Sequence, residues 1–135
     1  MNEQRYKLGK TDRLKSRKAI EQLFRAGKSF SNFPFRVLWM EVTNGKANLQ
    51  SGFTVSTKHF KNAVDRNRVK RLMRESYRLQ KNELGKALEL RQKQMALFFI
   101  FLGNELPQYD DVYKRMGAAL KRLSKIANEN SVADT

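Results

Sequence analysis

The sequence predicts an α+β fold, an α–β sandwich in the order α-β-β-β-α-β-α with helices packed on one sheet. Three observations point there. Two runs rich in aromatic and β-branched residues meet at Asn44-Gly45, a continuous apolar run MALFFIFL occupies Met95 to Leu102, and the segments around them carry apolar residues at helical spacing. With 135 residues, 40% of them hydrophobic, the chain can bury one core of ordinary size. It reads as a basic N-terminal tail over 1–11, a single α+β domain over 12–127 and a flexible C-terminal tail over 128–135.

Taken in order, SRKAIEQLFRAG begins the domain as a short helix. Ser16 can cap it, Ala19, Ile20, Leu23 and Phe24 share a face, and Gly27 stands where a glycine ends a helix. Strands follow near Lys28–Asn32, Phe35–Val42 and Leu49–Ser56. The first two are separated at Phe33-Pro34, because proline cannot donate to a central ladder. Asn44-Gly45 is the expected hairpin turn between the second and third, since a type I′ turn needs positive φ at both central residues. From Asn62 to Leu84 there is neither glycine nor proline, and Val69, Leu72, Met73 and Leu79 mark the apolar stripe of one long helix. MALFFIFL then reads as a strand buried on both faces. Leu106-Pro107 closes that unit, and a last amphipathic helix runs from Asp110 through Val112, Tyr113, Met116, Leu120, Leu123 and Ala127, its first-turn acids matching the helix dipole. Any parallel pairing across the long helix would by general rule be a right-handed crossover.

Charge narrows the class of partner. Twenty-eight Lys and Arg against 13 Asp and Glu leave +15 at pH 7, a surplus that costs self-repulsion and suits a polyanion. Nucleic acid leads, and an anionic membrane surface is the rival. The absence of cysteine excludes disulfides and thiolate metal sites and fits a reducing, cytoplasmic setting. MNEQRYKLGK has no apolar signal region and MALFFIFL is too short to span a bilayer, so the chain is expected to be soluble and untargeted.

The charge is concentrated in Asp65–Arg78, DRNRVKRLMRESYR. Between Lys58 and Lys81 there are nine Lys and Arg against two acids, Asp65 and Glu75, a local net of +7. At 100° per residue, Val69, Leu72, Met73 and Ser76 form one side of the helix. Arg66, Asn67, Lys70, Arg74, Arg78 and Lys81 spread over the opposite arc, with Arg71 at its edge and Arg68 on the flank near Glu75. Like charges at i, i+4 lose roughly 0.2–0.5 kcal/mol each, so an external anion is the economical explanation. The guanidinium fork favours phosphate. The last helix carries a second basic face, Lys114, Arg115, Lys121, Arg122 and Lys125. A membrane surface could take it, but its apolar stripe has a sheet to cover. His59 has no second His or Cys to make a metal set, and no catalytic residue or protein-held metal is expected.

DRNRVKRLMRESYR, preceded by the strand end FTVSTK and the connector HFKNAV, resembles the RNR signature of the bacterial ribonuclease P protein component. The first helix with RLK before it, the hairpin, MALFFIFL and the final helix resemble that family in order and length. The resemblance implies a small basic subunit, an RNA-binding domain over 12–127 that joins a catalytic RNA to remove the 5′ leader from precursor tRNA. Mg²⁺ would be held by the RNA, and neither a membrane nor a small molecule would be a partner. It also implies a ribosomal-protein-domain-like fold with a left-handed β-α-β crossover, against the right-handed default. By the same resemblance Lys58, Lys61, Arg66, Asn67, Arg68, Lys70, Arg71 and Arg74 would contact the RNA subunit. Ile20 and Phe24, four apart on one helix face, would line a cleft for the single-stranded leader, where apolar and aromatic platforms stack unpaired bases. The strand side of that cleft falls within FRVLWM, with Phe35 and Leu38 the candidates and Arg36 and Trp39 alternatives.

Overall fold

A computed structural model describes residues 8–43 and 47–133. After a 3₁₀ turn at Lys10–Asp12 the elements are α1 (Arg17–Ala26), β1 (Lys28–Asn32), β2 (Phe35–Val42), β3 (Leu49–Val55), α2 (Ala63–Gln80), α3 (Asn82–Leu90), β4 (Gln94–Phe101) and α4 (Tyr109–Ala133). The four strands form one mixed sheet in the order β1-β2-β4-β3, with β4 antiparallel to β2 and parallel to β3.

That order overturns the expected hairpin at Asn44-Gly45. The dipeptide lies outside the described residues, but β2 and β3 are not neighbours, because β4 lies between them. The physical reason is the composition of β4. Met95, Leu97, Phe99 and Phe101 bury on one face, Ala96 and Phe98 on the other, and only a central strand covers both. The tight hairpin joins β1 to β2 instead. Asn32 pairs with Phe35 across Phe33-Pro34, whose cis peptide is that of a type VI turn.

The long helix ends earlier than its sequence pattern suggests. α2 stops at Gln80, whose side-chain amide donates to the Ser76 carbonyl and to the Tyr113 carbonyl of α4, both at 3.0 Å. A separate helix, α3, follows and buries Leu84 and Leu88. It closes with Lys93 N donating to Leu88 O and Gln92 N to Glu89 O, the bonds of a Schellman cap, with Gln92 at φ 54° where glycine is usual. α4 runs to Ala133, past the expected limit at Ala127.

Helices cover both faces of the sheet. α2, α3 and α4 enclose the main core with Phe35, Val37, Trp39, Leu49, Val55, Leu97 and Phe99. α1 covers a smaller cluster on the other face, Leu14, Leu23, Leu38, Ala96 and Phe98. Ser16 Oγ caps α1 by accepting from Ala19 N at 3.2 Å. The helix turns straight into β1 because Gly27 has no Cβ; one there would stand 2.4 Å from the Leu23 carbonyl. The segment before α1, expected as part of a tail as far as residue 11, is anchored: Leu8 packs on the main core, Leu14 N donates to Ser51 O at 2.8 Å and Gln50 Nε2 to Thr11 O at 2.9 Å. It therefore covers the outer edge of β3.

Candidate nucleic-acid interface

α2 starts at Asn62, whose side chain accepts from Val64 N at 2.9 Å. Its inner face buries Val69, Met73, Ser76 and Tyr77. Ser76 can be buried because its hydroxyl donates to the Met73 carbonyl, and Tyr77 packs edge-on against Phe53 and Phe99. Burial pushes the Tyr77 phenol well above its ordinary pKa. With that face fixed on the sheet, Asn67, Arg68, Arg71 and Arg74 are exposed and Arg66 and Lys70 half-buried. In the connector, Phe60 is buried against Phe101 and leaves Lys58, His59 and Lys61 exposed on either side of it. The whole expected basic set is thus carried by one helix and the turn leading into it.

Two arginines depart from the picture of uncompensated charge. Arg66 Nη1 donates to the Phe60 carbonyl at 2.6 Å, so part of this guanidinium holds the connector. Arg78 makes two bonds to Glu75, Nη2 to Oε1 at 2.5 Å and Nε to Oε2 at 3.2 Å. These bonds hold the Glu75 carboxyl below its ordinary pKa and raise the Arg78 guanidinium. Arg68 is exposed, and no carboxylate pairs with it among the described residues.

On the opposite face of the sheet, Ile20 and Phe24 project from α1 beside Leu38 and Phe98. Phe24 is 51% exposed and meets the Phe98 ring edge-on at 5.4 Å between centroids. Phe98 lies across Gly52, its register partner on β3, where an added Cβ would stand 2.6 Å from the ring. Alternation places Arg36 and Ile100, which pair across β2 and β4, on the same face. The result is an apolar shelf with one half-open aromatic at its edge and one exposed arginine at its end.

Phe35 does not belong to this shelf. It points to the other face, is wholly buried and packs edge-on against Phe99 and Phe101. Trp39 shares that face and the main core, with Lys28 Nζ 5.3 Å from its ring centroid. Strand alternation decides the matter: Leu38 and Arg36 face α1, whereas Phe35, Val37 and Trp39 face α2 and α4. Sequence reasoning misses Phe98 and Ile100 as shelf residues because MALFFIFL reads as uniformly buried. A helix on each face of the sheet makes every second residue of that run a floor residue for α1.

Among the described residues no group of three His, Cys, Asp or Glu side chains could hold a metal ion, and no helix is long and apolar enough to cross a membrane. The geometry offers exposed cations on one face and an apolar shelf with a half-open aromatic on the other.

The family model for ribonuclease P matches residues 8–124. The chain belongs to the ribonuclease P protein family. A ribonuclease P protein component of Porphyromonas gingivalis is 38% identical over 118 residues, 87% of this chain and 86% of the relative. One from Finegoldia magna is 36% identical over 62% of this chain and 70% of its own length. Among solved structures, the ribonuclease P protein of Thermotoga maritima superposes with a TM-score of 0.65 at 28% identity, over 82% of this chain and 96% of that one. Family membership makes the chain the protein component of a ribonucleoprotein endoribonuclease, with an RNA partner and a role in tRNA 5′ processing.

Proposed function

We propose that this ribonuclease P protein binds the catalytic RNA through the outer face of α2 and its connector, and the single-stranded 5′ leader of precursor tRNA through the shelf between α1 and the sheet. Lys58, Lys61, Asn67, Arg68, Lys70, Arg71 and Arg74 are the RNA-subunit contacts, with Arg66 both a contact and a brace. Ile20, Phe24 and Leu38 form the leader site, joined by Phe98, Ile100 and Arg36. The observation that carries this reading is the half-exposed Phe24 ring, held edge-on to the buried Phe98 at the rim of the apolar layer under α1. An aromatic left open at the rim of such a layer can stack an unpaired base of any identity.

In this reading the protein positions rather than reacts. Mg²⁺ held by the RNA would supply the electrostatic stabilisation of the attacking and leaving oxygens. The cations of α2 neutralise RNA phosphates near that centre, and the shelf fixes the leader so that the scissile bond is presented in one orientation. The setting is the cytoplasm, and neither a membrane nor a small-molecule substrate takes part.

Copurification from cells with sequencing of the bound RNA tests the assignment, together with cleavage of precursor tRNA at low Mg²⁺. One abundant structured RNA, and leader removal at low Mg²⁺ only when protein is added, is the expected outcome. Equal binding to mature tRNA, ribosomal RNA and leader-bearing precursor would instead mean a general RNA-binding module.

A further inference from the structure

The basic face of α4 lies apart from both surfaces assigned above. α2 sets Tyr77 against Phe53 of β3, so the flank of α2 that shares its phase, with Lys70 and Arg74, leans toward the β3 edge. α4 leans the other way. Its Arg122 guanidinium lies over the Phe30 ring of β1 at 4.2 Å from the centroid, and Asn32 Nδ2 of β1 donates to the Arg115 carbonyl at 3.4 Å. Arg115 and Arg122 stand two turns apart, roughly 10 Å along the axis, facing the β1 edge. Lys114, Lys121 and Lys125 occupy the side of α4 opposite the buried Met116, Leu120 and Leu123.

We propose that this outer face of α4 and the adjoining β1 edge form a second phosphate-binding surface for RNA, engaging a segment of the ribonuclease P RNA distinct from the one that α2 contacts. Three features of the surface favour that partner. All five cations are exposed, and none has a carboxylate partner among the described residues. The Phe30 ring lies against the Arg122 guanidinium and holds it at the β1 edge, where its N–H groups can donate to phosphate oxygens. Lys121 lines a cleft with Leu84 and Leu120, whereas no aromatic ring lies under any of the three ammonium groups among the described residues, and within the stretch Lys114–Lys125 no acid interrupts them. A membrane is the poorer fit, because the apolar side of α4 is already spent on the sheet and on α2. The inference rests on the proposed RNA partner, and the experiment separates the two.

The triple change Lys114→Glu, Lys121→Glu and Lys125→Glu alters only exposed side chains. Full-length protein carrying it is compared with wild type and with Arg74→Ala for binding to ribonuclease P RNA transcribed from the same genome, over a salt series. The slope of log K against log salt should become shallower by about one for each phosphate no longer engaged, while the affinity difference between leader-bearing and leaderless precursor stays unchanged. Because the chain has no cysteine, Ala118→Cys and Asn67→Cys each give a single attachment point for iron–EDTA, and the two probes should cut different RNA segments. An unchanged slope in the triple variant beside a reduced slope in Arg74→Ala overturns the α4 surface alone. Unchanged slopes in both variants overturn the RNA reading of α2 as well. Flotation with anionic vesicles that the triple change abolishes, with RNA binding intact, would assign the face to lipid and overturn the proposal.

Discussion

Arg66 Nη1 donates to the Phe60 carbonyl at 2.6 Å, so the first arginine of the RNR segment is bonded to the connector that precedes its own helix. Phe60 is in turn buried against Phe101, and the brace therefore runs from a basic helix to the end of the central strand. Arg66 and Arg74 look alike in sequence, but only Arg66 has this second task.

The two should separate on mutation. Arg66→Ala strands the Phe60 carbonyl and should cost about 1–3 kcal/mol of stability, whereas Arg74→Ala, on an exposed turn of α2, should stay within about 0.5 kcal/mol. Urea unfolding curves measure both. Each variant should also lose RNA affinity with a shallower salt dependence. Equal stability losses would mean that the Arg66 bond contributes nothing to the fold.

Phe24→Ala should act on the leader alone. The ring is half open, so its removal forfeits the edge-on packing with Phe98 but creates no closed cavity. Stacking on an unpaired base is worth about 1–3 kcal/mol, and affinity for leader-bearing precursor should fall accordingly while affinity for leaderless tRNA does not move. Phe35→Leu provides the contrast. Phe35 lies in the main core with Phe99 and Phe101, so its replacement should lower stability and spare leader discrimination. A loss of discrimination at Phe35 with none at Phe24 would reverse the assignment of the two sheet faces.

Much of this was legible in the chain because local rules suffice for it. Ser16 and Gly27 bracket α1, and the phase of Val69 and Met73 separates the seated side of α2 from its cationic side. What escaped depends on packing between distant segments. No local signal shows that β4 will insert between β2 and β3, since Asn44-Gly45 is as good a hairpin turn in isolation as any sequence offers. The face of Phe35 follows from that insertion, because alternation fixes relative but not absolute orientation. α3 is signalled by the i, i+4 pair Leu84 and Leu88. Its glycine, Gly85, and a cap made by Gln92 instead of glycine hide its limits.

Gly52 should prove indispensable to the shelf. Its missing side chain lets the Phe98 ring lie across β3, and a Cβ would stand 2.6–2.7 Å from two ring carbons. Gly52→Ala must therefore lift the ring that Phe24 leans on. Overpacking of this kind typically costs about 1–3 kcal/mol, and the displaced ring should also reduce leader affinity toward that of Phe24→Ala. A shift of the urea midpoint at constant slope, together with weaker leader binding, is the expected pair of results. Full leader affinity in a destabilised Gly52→Ala protein would show that the position of Phe98 does not matter to the site.

The Glu75–Arg78 pair sets the last expectation, and here the sign of the pH effect is fixed by the direction of the shift. Bonds from Arg78 hold the Glu75 carboxyl below its ordinary value of 4.5. An acid lowered on folding contributes stability that is present above its unfolded pKa and disappears as pH falls through its folded pKa. The pair is solvent-exposed, so that contribution is small and near neutral pH the unfolding midpoint of Glu75→Gln should match wild type. RNA binding should respond more. Removing the carboxylate takes away a competitor for the Arg78 guanidinium on the helix proposed to engage RNA phosphates, so Glu75→Gln should bind RNA more tightly, with a salt slope steeper by about one. The same gain should emerge in wild type as pH is lowered through the Glu75 titration, and Glu75→Gln should lack it. Identical pH profiles for the two proteins would show that Arg78 does not reach the RNA even when Glu75 releases it.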